Sequence, residues 1–234
     1  MDVHMGRVRT RSNHAYTLVD LIVCIGVLAL ILAMFLPMMT RNTARSARIN
    51  CVNNLKQVGL SFRTFALDNN DKFPAQVPKK NGGTMELAES GSVYQHFLVM
   101  SNELSTPKIL ACPEDRDPRL VVANTFLSPS ASTYAGNISF TNDNNTSYFV
   151  SIDAQDTSPS MILSGDKYLA TNNVSLRHRP VELRTNSAIS WLNAPHNGFG
   201  NVLLADGSVQ QFSSTRLRTY LQTSSFETNR IAFP

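Results

Sequence analysis

LIVCIGVLALILAMFLPMM, residues 21–39, is an uncharged apolar run of nineteen residues, and its reading governs the rest of the chain. About 20 apolar residues, at 1.5 Å of helix rise each, cross the hydrocarbon core of a bilayer. A core helix of a globular protein would carry polar residues on its outer face, and this stretch has none. The expectation is a single transmembrane helix. A cleaved secretory signal would place a small-residue cut after an apolar core of about 7–15 residues. Here the run is longer, and Thr40-Arg41-Asn42-Thr43-Ala44-Arg45 follows it. Arg7, Arg9 and Arg11 should hold the N-terminus in the cytoplasm. Arg41, Arg45 and Arg48, on the far side, oppose that orientation.

Charge sharpens this reading. The chain has 234 residues, with 21 Lys and Arg against 17 Asp and Glu, and the first fifteen hold Arg7, Arg9, Arg11 and Asp2. Without them, 18 basic and 16 acidic residues remain. A near-neutral body offers no concentrated basic face, so nucleic acid is excluded as a partner. Asp20 stands at the edge of the apolar run, where a carboxylate needs the water interface or a positive partner. A cut before Tyr16 would create such a partner, the new α-amino group.

Ala15-Tyr16-Thr17-Leu18-Val19-Asp20-Leu21-Ile22 resembles the processing signal of type IV prepilins and pseudopilins. The resemblance implies cleavage by a prepilin peptidase between Ala15 and Tyr16, methylation of the Tyr16 amine, and assembly in which Asp20 neutralises the amine of a neighbouring subunit. Ala15, Tyr16 and Asp20 stand where the family usually has Gly, Phe and Glu. Pro37 falls where such helices commonly carry a proline, and it should kink this one.

Beyond the apolar run, Cys51, Leu55, Val58, Phe62 and Phe65 recur at steps of four and three. That spacing puts one apolar stripe on a continuing amphipathic helix. Asn53, Lys56, Arg63 and Thr64 lie opposite, and Asp68-Asn69-Asn70-Asp71 with Pro74 supplies the stop. Arg41, Arg45 and Arg48 share a helix face, read as solvated or as a contact for lipid phosphate or a neighbour's acidic patch. The three cysteines show no CxxC spacing. Cys24 lies inside the apolar run, which leaves Cys51 and Cys112 as a candidate disulfide in an oxidising compartment. Two buried free thiols are the alternative.

From residue 75 onward, a short helix is expected at 93–100 and strands at 133–140, 147–152, 161–164 and 188–192. Asn201 to Phe212 places Asp206-Gly207 between two apolar runs, a hairpin signal expected to adopt a type I′ turn. His196 precedes Asp206 by ten residues, and this spacing resembles the H-X9-DG tail of large prepilin-like proteins. Cys51-Val-Asn-Asn-Leu-Lys-Gln-Val-Gly-Leu60, Asp68-Asn-Asn-Asp-Lys-Phe-Pro74 and Cys112-Pro113 resemble the same group.

The expected fold class is α+β and pilin-like: a long N-terminal α-helix, membrane half plus amphipathic half, packed on an antiparallel β-sheet head. The expected organisation is a leader at 1–15, a transmembrane and assembly helix at 16–39, its amphipathic continuation at 40–68, and an extracytoplasmic head at 69–234. The expected function is a prepilin-like structural subunit of a type II secretion pseudopilus or related filament, anchored in the inner membrane, with a prepilin peptidase and other pilin or pseudopilin subunits as partners. A type IV pilus subunit for adhesion or motility, or a membrane-tethered binding or enzymatic head, are the other readings. No catalytic residue is assigned: Ser190 and Ser208 lie near His196 and Asp206 in sequence, without a GxSxG elbow or a poised base. No metal ligands are assigned either. Calcium held by Asp and carbonyl oxygens is the one cofactor kept open, though no DxDxDG-like loop is present. His196, Asp206 and Gly207 are read as structural, fixing the C-terminal strands.

Overall fold

The computed structural model describes residues 17–129, 136–177, 180–224, 226 and 228–234, without the side chains of residues 34–44. The leader, Ala15, Tyr16, residues 133–135 and the Pro37 and Arg41 side chains lie outside the described residues. The chain divides into two units, Met1–Ala44 and Arg45–Pro234.

Helix α1 is assigned over Leu18–Asp68. In the first unit its start is a capping box. The Asp20 carboxylate accepts from Thr17 N and Thr17 Oγ1, both at 2.9 Å, and Asp20 N donates back to Thr17 Oγ1 at 3.4 Å. Two orphan donors of the first turn are thereby satisfied.

The expectation of a transmembrane helix is overturned. Among the described residues no helix is long and apolar enough to cross a membrane. Asp20 stands in the first turn of α1. A single-pass inner-membrane protein is therefore not supported.

The pilin-like fold class is corrected with it. The body is a curled antiparallel half-barrel with short helices rather than a sheet carrying one long apolar helix. The part of α1 that enters the core is a stripe of a few turns: Cys51, Leu55, Val58, Phe62 and Phe65 are buried. The helix ends at Asp68, where Asn70 and Asp71 turn left-handed at φ 56° and 58°.

Short helices α2 (Val93–Leu98) and α3 (Ser101–Leu104) follow. Then come β1 (Tyr148–Ser151), β2 (Ile162–Asp166), β3 (Leu169–Thr171), β4 (Val174–Ser175), β5 (Val181–Arg184), β6 (Ile189–Trp191), β7 (Phe199–Leu204) and β8 (Val209–Ser213). Helix α4 (Ser214–Thr223) and β9 (Thr228–Ala232) close the chain. The six-stranded sheet has the order β5-β9-β1-β2-β7-β8, and a three-stranded sheet the order β4-β3-β6. Within residues 136–140 the expected strand is reduced to an isolated bridge between Ser139 and Thr125.

The strands β1, β2 and β7 of the larger sheet are buried on both faces, and strand alternation sorts their side chains. Tyr148, Val150, Leu163, Leu203 and Ala232 face the layer that holds Cys51, Leu55 and Phe62. Phe149, Ile162, Val202, Leu204 and Ile231 face a second layer built by Ile189, Trp191, Leu217 and Leu221. Two close approaches set the spacing. A Cβ on Gly59 of α1 would stand 2.6 Å from Leu203 Cδ1, and one on Gly200 would stand 2.4 Å from the Trp191 ring.

The β7–β8 hairpin forms in register from Phe199↔Ser213 to Leu203↔Val209. Its turn is not type I′, which needs positive φ at both central residues. Gly207 has φ 85°, while Asp206 is not left-handed. Gly207 N donates to Leu204 O and Leu204 N to Ser208 O, both at 2.9 Å, as in a type I turn closed by a glycine bulge.

Candidate functional site, a buried polar centre around His196

Three segments converge beneath the sheet end. The first is α1 at Cys51, the second the loop Cys112-Pro113-Glu114-Asp115, the third the turn His196-Asn197-Gly198 that leads into β7. Asn197 and Gly198 are both left-handed, φ 56° and 81°, and Phe199 N returns a hydrogen bond to His196 O at 3.2 Å. This tight reversal aims the imidazole inward, where it is fully buried.

Cys51 and Cys112 are joined in a disulfide with a Cα–Cα distance of 4.9 Å. Asn54 Nδ2, one turn on from Cys51, donates to Ala111 O at 3.1 Å and aligns the loop on the helix. His196 Nδ1 lies 2.5 Å from Glu114 Oε2. Its Nε2 faces Asp166 Oδ2 at 3.4 Å and Cys112 Sγ at 3.7 Å. Glu114 is the acceptor, so Nδ1 carries a proton and Nε2 is the atom turned toward sulfur and Asp166.

Asp166 sits at the end of β2, where Asn201 N and Nδ2 donate to its Oδ2 at 2.7 and 3.1 Å. Burial pushes its carboxyl up to about 6, against the opposing pull of His196 and Asn201. Among the described residues Asn201 Oδ1 is buried without a hydrogen-bond partner. Burial also raises the Tyr148 phenol.

A second ionic cluster adjoins this one. Lys167 Nζ lies 3.0 Å from Asp115 Oδ2 and 3.3 Å from Asp117 Oδ2. Ser147 Oγ donates to Asp115 Oδ2 at 2.6 Å, and Tyr168 donates its hydroxyl proton to Asp115 Oδ1. The Arg119 guanidinium holds Asp117 well below the usual carboxylate range, while burial drives the Tyr168 phenol upward. Ser147 Oγ also accepts from Cys112 N at 3.0 Å, so one hydroxyl links the ionic cluster to the disulfide loop.

The signature residues do not form one site. Asp206 and Gly207 occupy the turn at one end of β7, and His196 lies before its other end. Six strand residues, about 20 Å at 3.3 Å each, separate them. Asp206 is exposed, its carbonyl accepts from Arg63 Nη1 at 3.2 Å, and its carboxylate caps Ser208 N at 2.8 Å. Among the described residues neither Ser190 nor Ser208 is a partner of His196, whose contacts are two carboxylates and a sulfur. Glu114, Asp115, Asp166, Lys167 and Asn201 were missed from the sequence. The faint signals were the dense Glu114-Asp115-Arg116-Asp117 run directly after Cys112-Pro113 and the charged pair Asp166-Lys167 closing an apolar strand. Arrangements of this kind can hold a cation or a proton.

No family model matches the chain, and no curated protein or solved structure matches it significantly.

Proposed function

We propose that the chain is a prepilin-like structural subunit that assembles, through the first part of α1, into a secretion pseudopilus or related filament. One observation supports this most directly. Leu21, Ile22, Ile25, Leu28, Leu30 and Leu32 belong to an apolar run whose large side chains between residues 18 and 32 are each 46–74% exposed. They surround the helix rather than line one stripe, because neighbours such as Leu21 and Ile22 point in different directions. A surface this apolar calls for cover by other protein, and like helices from other copies supply it.

In this reading a prepilin peptidase removes residues 1–15, and the other subunits of the filament are the partners. Asp20, held ionised by its hydrogen bonds from Thr17, supplies the one acidic group in the packed region. The body from Arg45 onward serves as the exposed head, and its buried His196 centre is structural rather than catalytic.

The test is to produce the full chain with and without a prepilin peptidase, then combine intact-mass measurement with electron microscopy. The proposal expects loss of fifteen residues and filaments from the processed form. Ile25→Asp with Leu28→Asp should leave processing intact and abolish filaments. Processed chain that stays monomeric at every concentration would refute the assembly role.

A further inference from the structure

The two cysteine sulfurs and a nitrogen of His196 lie within 4.8 Å of one another, all buried, and they come from three separate segments. We propose that reduction of the Cys51–Cys112 bond converts this centre into a site for a zinc-type divalent metal. The ligands are the two thiolates and His196 Nε2, with the Asp166 carboxylate, 3.4 Å from Nε2 and outside that cluster, moving in as the fourth. The inference is independent of filament assembly.

The geometry supplies three ligands and places a fourth beside them. Zinc takes four ligands drawn from thiolate, imidazole and carboxylate in a tetrahedron. A metal-bound imidazole is oriented by an acceptor on its other nitrogen, and Glu114 Oε2 already holds Nδ1 at 2.5 Å. Nε2 is thereby turned toward Cys112 Sγ and Asp166 Oδ2, at 3.7 and 3.4 Å. Asp166 is itself fixed by the Asn201 N–H and side-chain amide. Among the described residues the buried Oδ1 of that same Asn201 amide has no hydrogen-bond partner. Two soft thiolates with one imidazole select zinc, cobalt or cadmium over calcium or magnesium.

The conversion balances with a dithiol as reductant. Two electrons pass into the S–S bond, two protons go to the cysteine sulfurs, and the dithiol leaves as its cyclic disulfide. Metal binding then releases both thiol protons to solvent. The head thus has two mutually exclusive closures at one point, a covalent bond when oxidised and a metal when reduced.

Cobalt(II) is the probe. The full chain is reduced with excess dithiol, freed of it by gel filtration under argon, and titrated. The expected result is one equivalent bound, with thiolate-to-cobalt charge-transfer absorption in the near ultraviolet and the visible bands of a tetrahedral ion, both lost when zinc is added. The oxidised chain should show neither. Cys24→Ser should bind as the unmodified chain does, and His196→Ala should bind at least ten-fold more weakly. Zinc should raise the melting temperature of the reduced chain and leave that of the oxidised chain unchanged. Absence of the charge-transfer band in the reduced chain would overturn the site, and so would equal binding by oxidised chain or by His196→Ala. A reduced chain that stays unfolded in the presence of zinc would overturn it equally.

Discussion

Lys167 sets its ammonium 3.0 Å from Asp115 Oδ2 while also reaching Asp117 Oδ2 at 3.3 Å, so one nearly buried cation answers two carboxylates. Asp115 has no side-chain exposure, and it keeps Ser147 and Tyr168 as donors if the lysine is lost. Removing one partner of a buried ion pair leaves an uncompensated charge, which costs about 3–5 kcal/mol. Lys167→Met should therefore destabilise the protein by that amount in urea denaturation. A change below about 1 kcal/mol would mean that the hydroxyl donors alone satisfy Asp115.

The Cys51–Cys112 bond closes a loop across 61 positions of sequence. Chain-entropy arithmetic for a loop of that length gives about 4 kcal/mol. Cys51→Ser with Cys112→Ser should lower the denaturation free energy by roughly that amount in metal-free buffer. Reductant should have little further effect on this double variant, which separates the bond from any other thiol chemistry.

Gly200 packs its backbone onto the Trp191 ring, where an added Cβ would meet carbon at 2.4 Å. The indole is buried between β6 and the larger sheet, so it has little room to withdraw. Gly200→Ala should cost about 1–3 kcal/mol through overpacking. Tryptophan fluorescence should shift as well, since Trp191 is the single tryptophan of the chain.

Two buried groups give opposite pH dependences. Burial depresses His96 from 6.5 to about 4, with Thr84 Oγ1 at 2.6 Å from Nδ1 and, among the described residues, no partner on Nε2. Its stabilising contribution is present above pH 6.5 and is lost as pH falls toward 4. Asp166 is raised from 3.8 to about 6, so its contribution is present below pH 3.8 and is lost as pH rises through 6. Each amounts to roughly 3 kcal/mol at 1.36 kcal/mol per unit. Between pH 4 and 6 the two slopes oppose. His96→Gln should expose a decline in stability with rising pH, and Asp166→Asn a decline with falling pH. Parallel stability curves for both variants and the parent would contradict these assignments.

The sequence revealed some of this structure and hid the rest for identifiable reasons. The stripe Cys51, Leu55, Val58, Phe62 and Phe65 was legible because its 3.6-residue period stands against polar residues on the other face. The Asp206-Gly207 hairpin was legible as well, but its turn type was not, because only Gly207 takes up positive φ. The apolar run at 21–39 misled, since composition alone suggested a membrane span that no described helix provides. Burial of β1, β2 and β7 on both faces was hidden, as their continuous apolar runs do not reveal which side is covered. β9 and α4 were missed because Thr228, Asn229 and Arg230, or the Ser214-Thr215-Arg216 start, read as polar connection. At the candidate site, His196 and the cysteines were visible by spacing and elimination. Glu114 and Asp166 were not, because a carboxylate reads as solvated until tertiary packing encloses it.

The disulfide joins α1 at Cys51 to the loop that begins at Cys112. A pull on α1 from its N-terminal side therefore cannot unzip the helix from the sheet beyond residue 51. The load passes at Cys51 into Cys112, and from there through Ser147 into β1 at the middle of the six-stranded sheet. The bond acts as a strain relief, like the clamp that keeps tension on a cable from reaching its connector.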